Sequence, residues 1–158
     1  MNEPIVVLIA SIRKDLEAID EIYSAMDRLF QEGENVLEDE RAQITLAYRL
    51  HNLYNAFENI FLNIARTFEN QLDPRGRWHS QLLDRMRLDL TPLRPAVIDD
   101  GMYEALYELR RFRHLFRHAY TMTIDPERLM LVYRKALLLR DIYHQQLSRL
   151  LQFLDELI

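Results

Sequence analysis

Residues 109–120 read LRRFRHLFRHAY, and within them Arg110, Arg111, Arg113, His114, Arg117 and His118 occur without a single intervening carboxylate. An arginine-rich face is most often just a solvated face that helps solubility, but these residue types also permit one chemistry, the cleavage of an RNA phosphodiester without a metal. RNA carries its own nucleophile, the 2′-hydroxyl. A catalyst must therefore add a base that titrates near neutrality and a cation for the charge gathering on the phosphate. Histidine has the first property, and the planar donor fork of arginine has the second. Arg113 and His118 form such a pair, and Arg111 with His118 forms a looser alternative.

Other chemistries are disfavoured by what is missing. The chain has no cysteine, which excludes a thiol nucleophile, disulfides and thiolate metal sites. It has no glycine-rich phosphate loop. A carboxylate-bridged metal site in a helical bundle wants two Glu-x-x-His pairs, and the nearest approach is the lone pair Asp141 and His144. No cofactor is expected. The bare Arg-x4-His spacing is weak evidence, since about 0.6 such pairs are expected by chance from this composition. Requiring a tyrosine two residues later, as Tyr120 supplies, lowers that to about 0.03 and makes the pattern informative.

Wound as a helix at roughly 100° per residue, the four arginines and two histidines fall within an arc of about 160°. Leu109, Phe112, Leu115, Phe116 and Ala119 fill most of the opposite side. The expectation is a core face and a concentrated cationic face, with Tyr120 only about 20° from Arg113. His118 lies about 140° from Arg113, so one straight helix does not assemble the pair. A bend in the final turn or a second subunit has to complete it.

The elements that carry this stretch are helical. The 158 residues suffice for one domain with a substantial core, expected to span the whole chain, 1–158. Only three glycines and five prolines interrupt them, which favours a few long elements. A heptad stripe (Ile5, Ile9, Ile12, Leu16, Ile19, Tyr23, Met26, Phe30) marks a first helix ended by Gly33, whose seam must bury against another helix of this chain or of a second copy. A second helix over 36–69 shows a wider apolar face, from Leu46 to Phe68, which implies several neighbours. Its polar row, His51, Asn55 and Glu58, reads as a solvated edge.

A turn cluster at 70–77 precedes a short helix over 78–88, whose Trp78, Leu82 and Met86 are placed to seal the bundle end. Thr91, Pro92 and Pro95 break the chain again. Asp99 and Asp100 are caps for the helix bearing the basic stretch, which is expected to end near Tyr120. Asp125 and Pro126 start the last helix, apolar at Leu129, Val132, Ala136, Leu139, Tyr143, Leu147, Leu150, Leu154 and Leu157. The fold class is an all-α bundle of four main helices and a short fifth. No export signal or membrane span is read, in keeping with a cytoplasmic protein. The net charge of −5 disfavours indiscriminate coating of nucleic acid and leaves only a local contact.

The segment from Arg113 to Tyr120 resembles the Arg-x4-His-x-Tyr motif of the HepT-like toxins, a branch of the HEPN superfamily of helical ribonucleases. LHNLYNAFENIFLNIARTFE at 50–69, WHSQLLDRM at 78–86 and LRP at 93–95 also resemble segments of these proteins. The resemblance implies a HEPN-like helical homodimer whose two motif helices meet in a shared cleft. It implies a metal-independent endoribonuclease, the toxin of a type VII toxin–antitoxin pair, acting on mRNA or tRNA with Arg113 and His118 as the catalytic pair. His114 stands where relatives frequently have Asn or Asp, and with Arg110, Arg111 and Arg117 it is assigned to supporting phosphate contacts. The implied partner is an MntA-type nucleotidyltransferase antitoxin that silences the toxin by attaching AMP to the motif tyrosine, here Tyr120. An anionic adduct there would sit beside Arg113 and compete for its charge.

A second reading from another class is a non-catalytic helical module that binds a nucleotide or a nucleotidyltransferase through its basic helix. A purely structural coiled-coil dimer would account for the heptads, but not for six basic side chains in one short stretch.

Overall fold

The computed structural model describes residues 2–33, 35–69, 78–117 and 124–158. Five helices make up the described chain: α1 (Glu3–Gln31), α2 (Glu40–Phe68), α3 (Trp78–Met86), α4 (Asp100–Arg117) and α5 (Pro126–Asp155). Among the described residues there is no strand, only an isolated bridge between Leu90 and Arg94. This is the all-α bundle with a short extra helix that periodicity implied. None of these helices is long and apolar enough to cross a membrane.

Helix ends follow local chemistry. Asp39 accepts a hydrogen bond from the Arg41 amide at 2.9 Å, Asp99 from the Met102 amide at 2.8 Å, and Asp125 from the Glu127 amide at 3.1 Å. Each carboxylate serves amides that have no partner inside their own helix. The cap at Asp39 starts α2 four residues later than the apolar pattern suggests, because Val36 is buried from the α1–α2 connection and not from the helix itself. Gly33 takes a φ of 76°, the left-handed conformation that stops α1.

α2 is the hub, touching all four other helices. Its Leu46, Leu50, Leu53, Phe57, Ile60 and Ile64 are fully buried, which explains the width of its apolar face. The heptad seam of α1 packs chiefly on α2 of the same chain. α5 closes the bundle: Tyr23 donates to the Ala136 carbonyl at 2.6 Å, and Arg140 forks onto both carboxylate oxygens of Asp27 at 2.9 and 2.7 Å. Leu157 departs from the expected stripe and is exposed, since α5 ends at Asp155. Leu82 and Met86 of α3 are buried as expected, whereas the side chain of Trp78 lies outside the described residues.

The α3–α4 connection is more ordered than a proline break suggests. Val97 and Ile98 donate their amides to the Met86 carbonyl, and the Thr91–Pro92 peptide is cis. Arg94, entirely buried, donates to the carbonyls of Arg85, Leu88 and Pro95 and to Glu69 Oε1, all at 3.1 Å. Glu69 Oε1 also accepts from Arg85 Nε and Nη2. A guanidinium has five donors and no acceptor, so a ring of carbonyls plus one carboxylate is the environment that makes its burial tolerable.

Replacing Arg94 with Leu strands those carbonyls and leaves the buried Glu69 with Arg85 alone. We expect a loss of about 2–4 kcal/mol. Urea denaturation checks this, with exposed Arg134→Ala as a control expected to change stability by less than about 0.5 kcal/mol.

Candidate active site on α2 and α4

The buried stripe of α4 runs Met102, Ala105, Leu106, Leu109, Phe112 and then Arg113. Arg113 is four residues after Leu109 and seven after Leu106, so it continues the apolar row and is only 8% exposed. This corrects the expectation of a single outward cationic face. In the helical projection Arg113 stood at the edge of the cationic arc, about 40° from Leu109, and the position of α2 turns that edge inward.

A buried guanidinium requires partners, and α2 supplies them from successive turns. Arg113 Nη1 donates to Glu58 Oε1 at 2.9 Å and to Asn55 Oδ1 at 3.0 Å. Its central carbon lies 4.6 Å from the centre of the Tyr54 ring, within cation–π range. Burial, then the Glu58 charge, pushes the Tyr54 phenol well above its ordinary value, so it remains a neutral face for the arginine. One turn before Asn55, the His51 Nε2 lies 3.1 Å from Asn55 Nδ2, and its ring packs on Phe116 with centroids 5.4 Å apart.

His51, Asn55 and Glu58 are therefore not the solvated edge that their polarity suggested. Glu58 is buried, and Asn55 and His51 are half-buried against α4. A signal was present in the residue pattern. Tyr54, Phe57, Glu58 and Phe61 occupy i, i+3, i+4 and i+7 of α2 and all four are buried, so Glu58 is a carboxylate on an apolar stripe that demands an internal cation.

The remaining basic side chains form an outer rim. Arg111, His114 and Arg117 are exposed and Arg110 is half-buried. Arg110 and Arg111 lie over the Tyr107 ring at 5.0 and 6.0 Å, and Arg111 also faces Glu108 at 3.6 Å, one turn earlier. Arg111 thus sits outside, apart from the Glu58–Asn55–Arg113 cluster. His118 and Tyr120 lie outside the described residues.

No group of three His, Asp or Glu side chains able to hold a metal converges among the described residues. His144 faces Asp20 of α1 at 3.2 Å rather than pairing with Asp141.

Compared with known families, residues 45–154 match the family described as HepT-like protein. The matched span holds every residue of the α2–α4 cluster and all but the first residues of α2. No curated protein and no solved structure matches the chain.

Burial, and then the charges of Arg113 and Arg117, hold the His51 imidazole below its ordinary value. A histidine with a depressed folded-state pKa contributes stability that is complete above its unfolded value of roughly 6.5 and is lost as pH falls through the folded value. Urea midpoints taken from pH 7.5 down to 5 should therefore fall more steeply for the native protein than for His51→Gln, which does not titrate.

Proposed function

The chain belongs to the HepT-like protein family, and from that premise we propose that it is a metal-independent endoribonuclease, the toxin of a type VII toxin–antitoxin pair. The family points toward HEPN ribonuclease activity in general. The observation that carries the reading is Arg113. Its guanidinium is fixed at Nη1 by Glu58 and Asn55 at the foot of an exposed basic rim, while no hydrogen bond from Nε or Nη2 is found among the described residues.

In the proposed reaction His118 removes the proton of the 2′-hydroxyl. The 2′-oxygen attacks the adjacent phosphorus, and the bond to the 5′-oxygen of the next nucleotide breaks. The products are a 2′,3′-cyclic phosphate and a 5′-hydroxyl end, the latter taking up a proton. Arg113 presents its second edge to the phosphate as negative charge accumulates there. Because this guanidinium is already oriented, little reorganisation is needed when the charge develops. His114, Arg117, Arg110 and Arg111 hold flanking phosphates of an mRNA or tRNA substrate. A second copy of the chain brings its motif helix to the same cleft.

An MntA-type nucleotidyltransferase antitoxin would transfer AMP from ATP to the Tyr120 oxygen, releasing pyrophosphate. The adduct adds an anion within reach of the cations that bind RNA. The burial of Arg113 favours one competing reading, a non-catalytic module in which that arginine is a structural strut.

The test is purified protein with total RNA in excess EDTA, beside His118→Ala and Arg113→Lys. The enzyme reading expects cleavage that survives chelation and leaves cyclic phosphate ends. His118→Ala should lower it by at least about 100-fold, and Arg113→Lys, which cannot fork onto a phosphate, by a comparable factor. A module reading expects no cleavage from protein shown by intact mass to carry no AMP.

A further inference from the structure

The hydrogen-bond pattern next to Arg113 has only one consistent assignment of protons. A guanidinium donates and never accepts, so the Asn55 atom that faces Arg113 Nη1 at 3.0 Å must be the carbonyl oxygen. The other end of that carboxamide is then the NH2 group, a donor, and it faces His51 Nε2 at 3.1 Å. Nε2 must accept, so the ring is neutral and carries its proton on Nδ1. Nδ1 itself is buried and has no hydrogen-bond partner among the described residues.

We propose that His51 and Asn55 are positioning residues for Arg113: the neutral imidazole sets the orientation of the Asn55 carboxamide, and the carboxamide sets the guanidinium. The inference rests on the ribonuclease reading only for its effect on catalysis. The chain of bonds itself stands on geometry.

A proton on His51 breaks this chain. Nε2–H would then meet the Asn55 NH2 group, donor against donor. If the carboxamide turns over to offer its oxygen to His51, its NH2 group faces Arg113 Nη1 instead, and the conflict moves one bond along. In the first arrangement the Asn55 carboxamide loses the bond that orients it, and in the second Arg113 keeps Glu58 and loses Asn55, so that the guanidinium swings about a single anchor.

The surroundings of His51 resist that proton. From α4 it faces Arg113, Arg117 and the Phe116 ring, and from its own helix Asn55. No carboxylate is bonded to it among the described residues, and Glu58, the acid on the same face of α2, is engaged with Arg113. The ring is thus kept in the one state that can hold Asn55 in place. A basic site that binds a polyanion could otherwise recruit a charged histidine at this position as one more phosphate ligand. The bonds to Asn55 and Arg113 give it the opposite role.

Two measurements test the proposal. Long-range 1H–15N spectra of the intact protein at neutral pH should show His51 as the Nδ1–H tautomer with an unprotonated Nε2; an Nε2–H tautomer or a charged ring overturns it, whatever the chain does to RNA. In cleavage assays His51→Gln keeps an acceptor and should retain kcat within about threefold of wild type at neutral pH, while the acid limb of log kcat against pH becomes shallower by one proton. His51→Lys presents only donors and should lose kcat by about tenfold or more across the pH range with little change in KM. Equal losses in Gln and Lys variants, or no loss in either, overturn the positioning role. If wild type of verified unmodified mass cleaves no RNA, the ribonuclease reading fails, and the tautomer still decides whether the bond chain exists.

Discussion

A single charge set into the packed face between two helices governs this structure. Arg113 continues the apolar row of α4, and it is tolerable there only because α2 places Glu58 and Asn55 opposite it and Tyr54 beneath it. Such a pair adds little stability compared with two well-packed apolar side chains, but removing either partner leaves the other stranded in a poorly solvated place. A slide of α4 along α2 by one turn would part Arg113 from both Glu58 and Asn55, so the pair disfavours that misregister as well.

Just past the end of α2, at its C-cap, lies a second carboxylate with a buried side chain, Glu69, eleven residues beyond Glu58. Eleven residues are three helical turns, about 16 Å, and bring the side chain back to within about 20° of the same face. Both acids receive arginines from the later segment of the chain, Glu58 from α4 and Glu69 from Arg94 in the connection that leads into α4. The path of the chain from α3 through α4 is therefore pinned to the hub helix at two points. A site built on α2 and α4 inherits its precision from that double attachment.

The division between an inner arginine and an outer basic rim fits the two tasks of the proposed reaction. Arg111, His114 and Arg117 are exposed, and charge at a solvated rim is suited to salt-dependent capture of a flexible polyanion. Arg113 is oriented by bonds at one edge, the condition under which a donor stabilises developing charge without first paying to reorganise. In the proposed reaction the same residue types at neighbouring positions thus take different roles according to their depth.

Much of this was legible in the residues. The helices, the caps at Asp99 and Asp125 and the stop at Gly33 rest on interactions within a few residues of one another, so local pattern suffices to find them. The chemistry suggested by the basic stretch, and its likeness to the HepT-like motif over 113–120, rest on residue types and spacing alone. Two features were not legible, the inward turn of Arg113 and the burial of Arg94 among carbonyls, and a third, the anchoring role of His51, Asn55 and Glu58, was signalled only by the place of Glu58 on the apolar stripe of α2. A helical projection gives each residue's angle about its own axis but not the direction of the neighbouring helix, and residues at the boundary of a face are assigned by that direction. Arg113 stands about 40° from Leu109, close enough to either side that only the packing of α4 on α2 could decide whether its charge met water or Glu58.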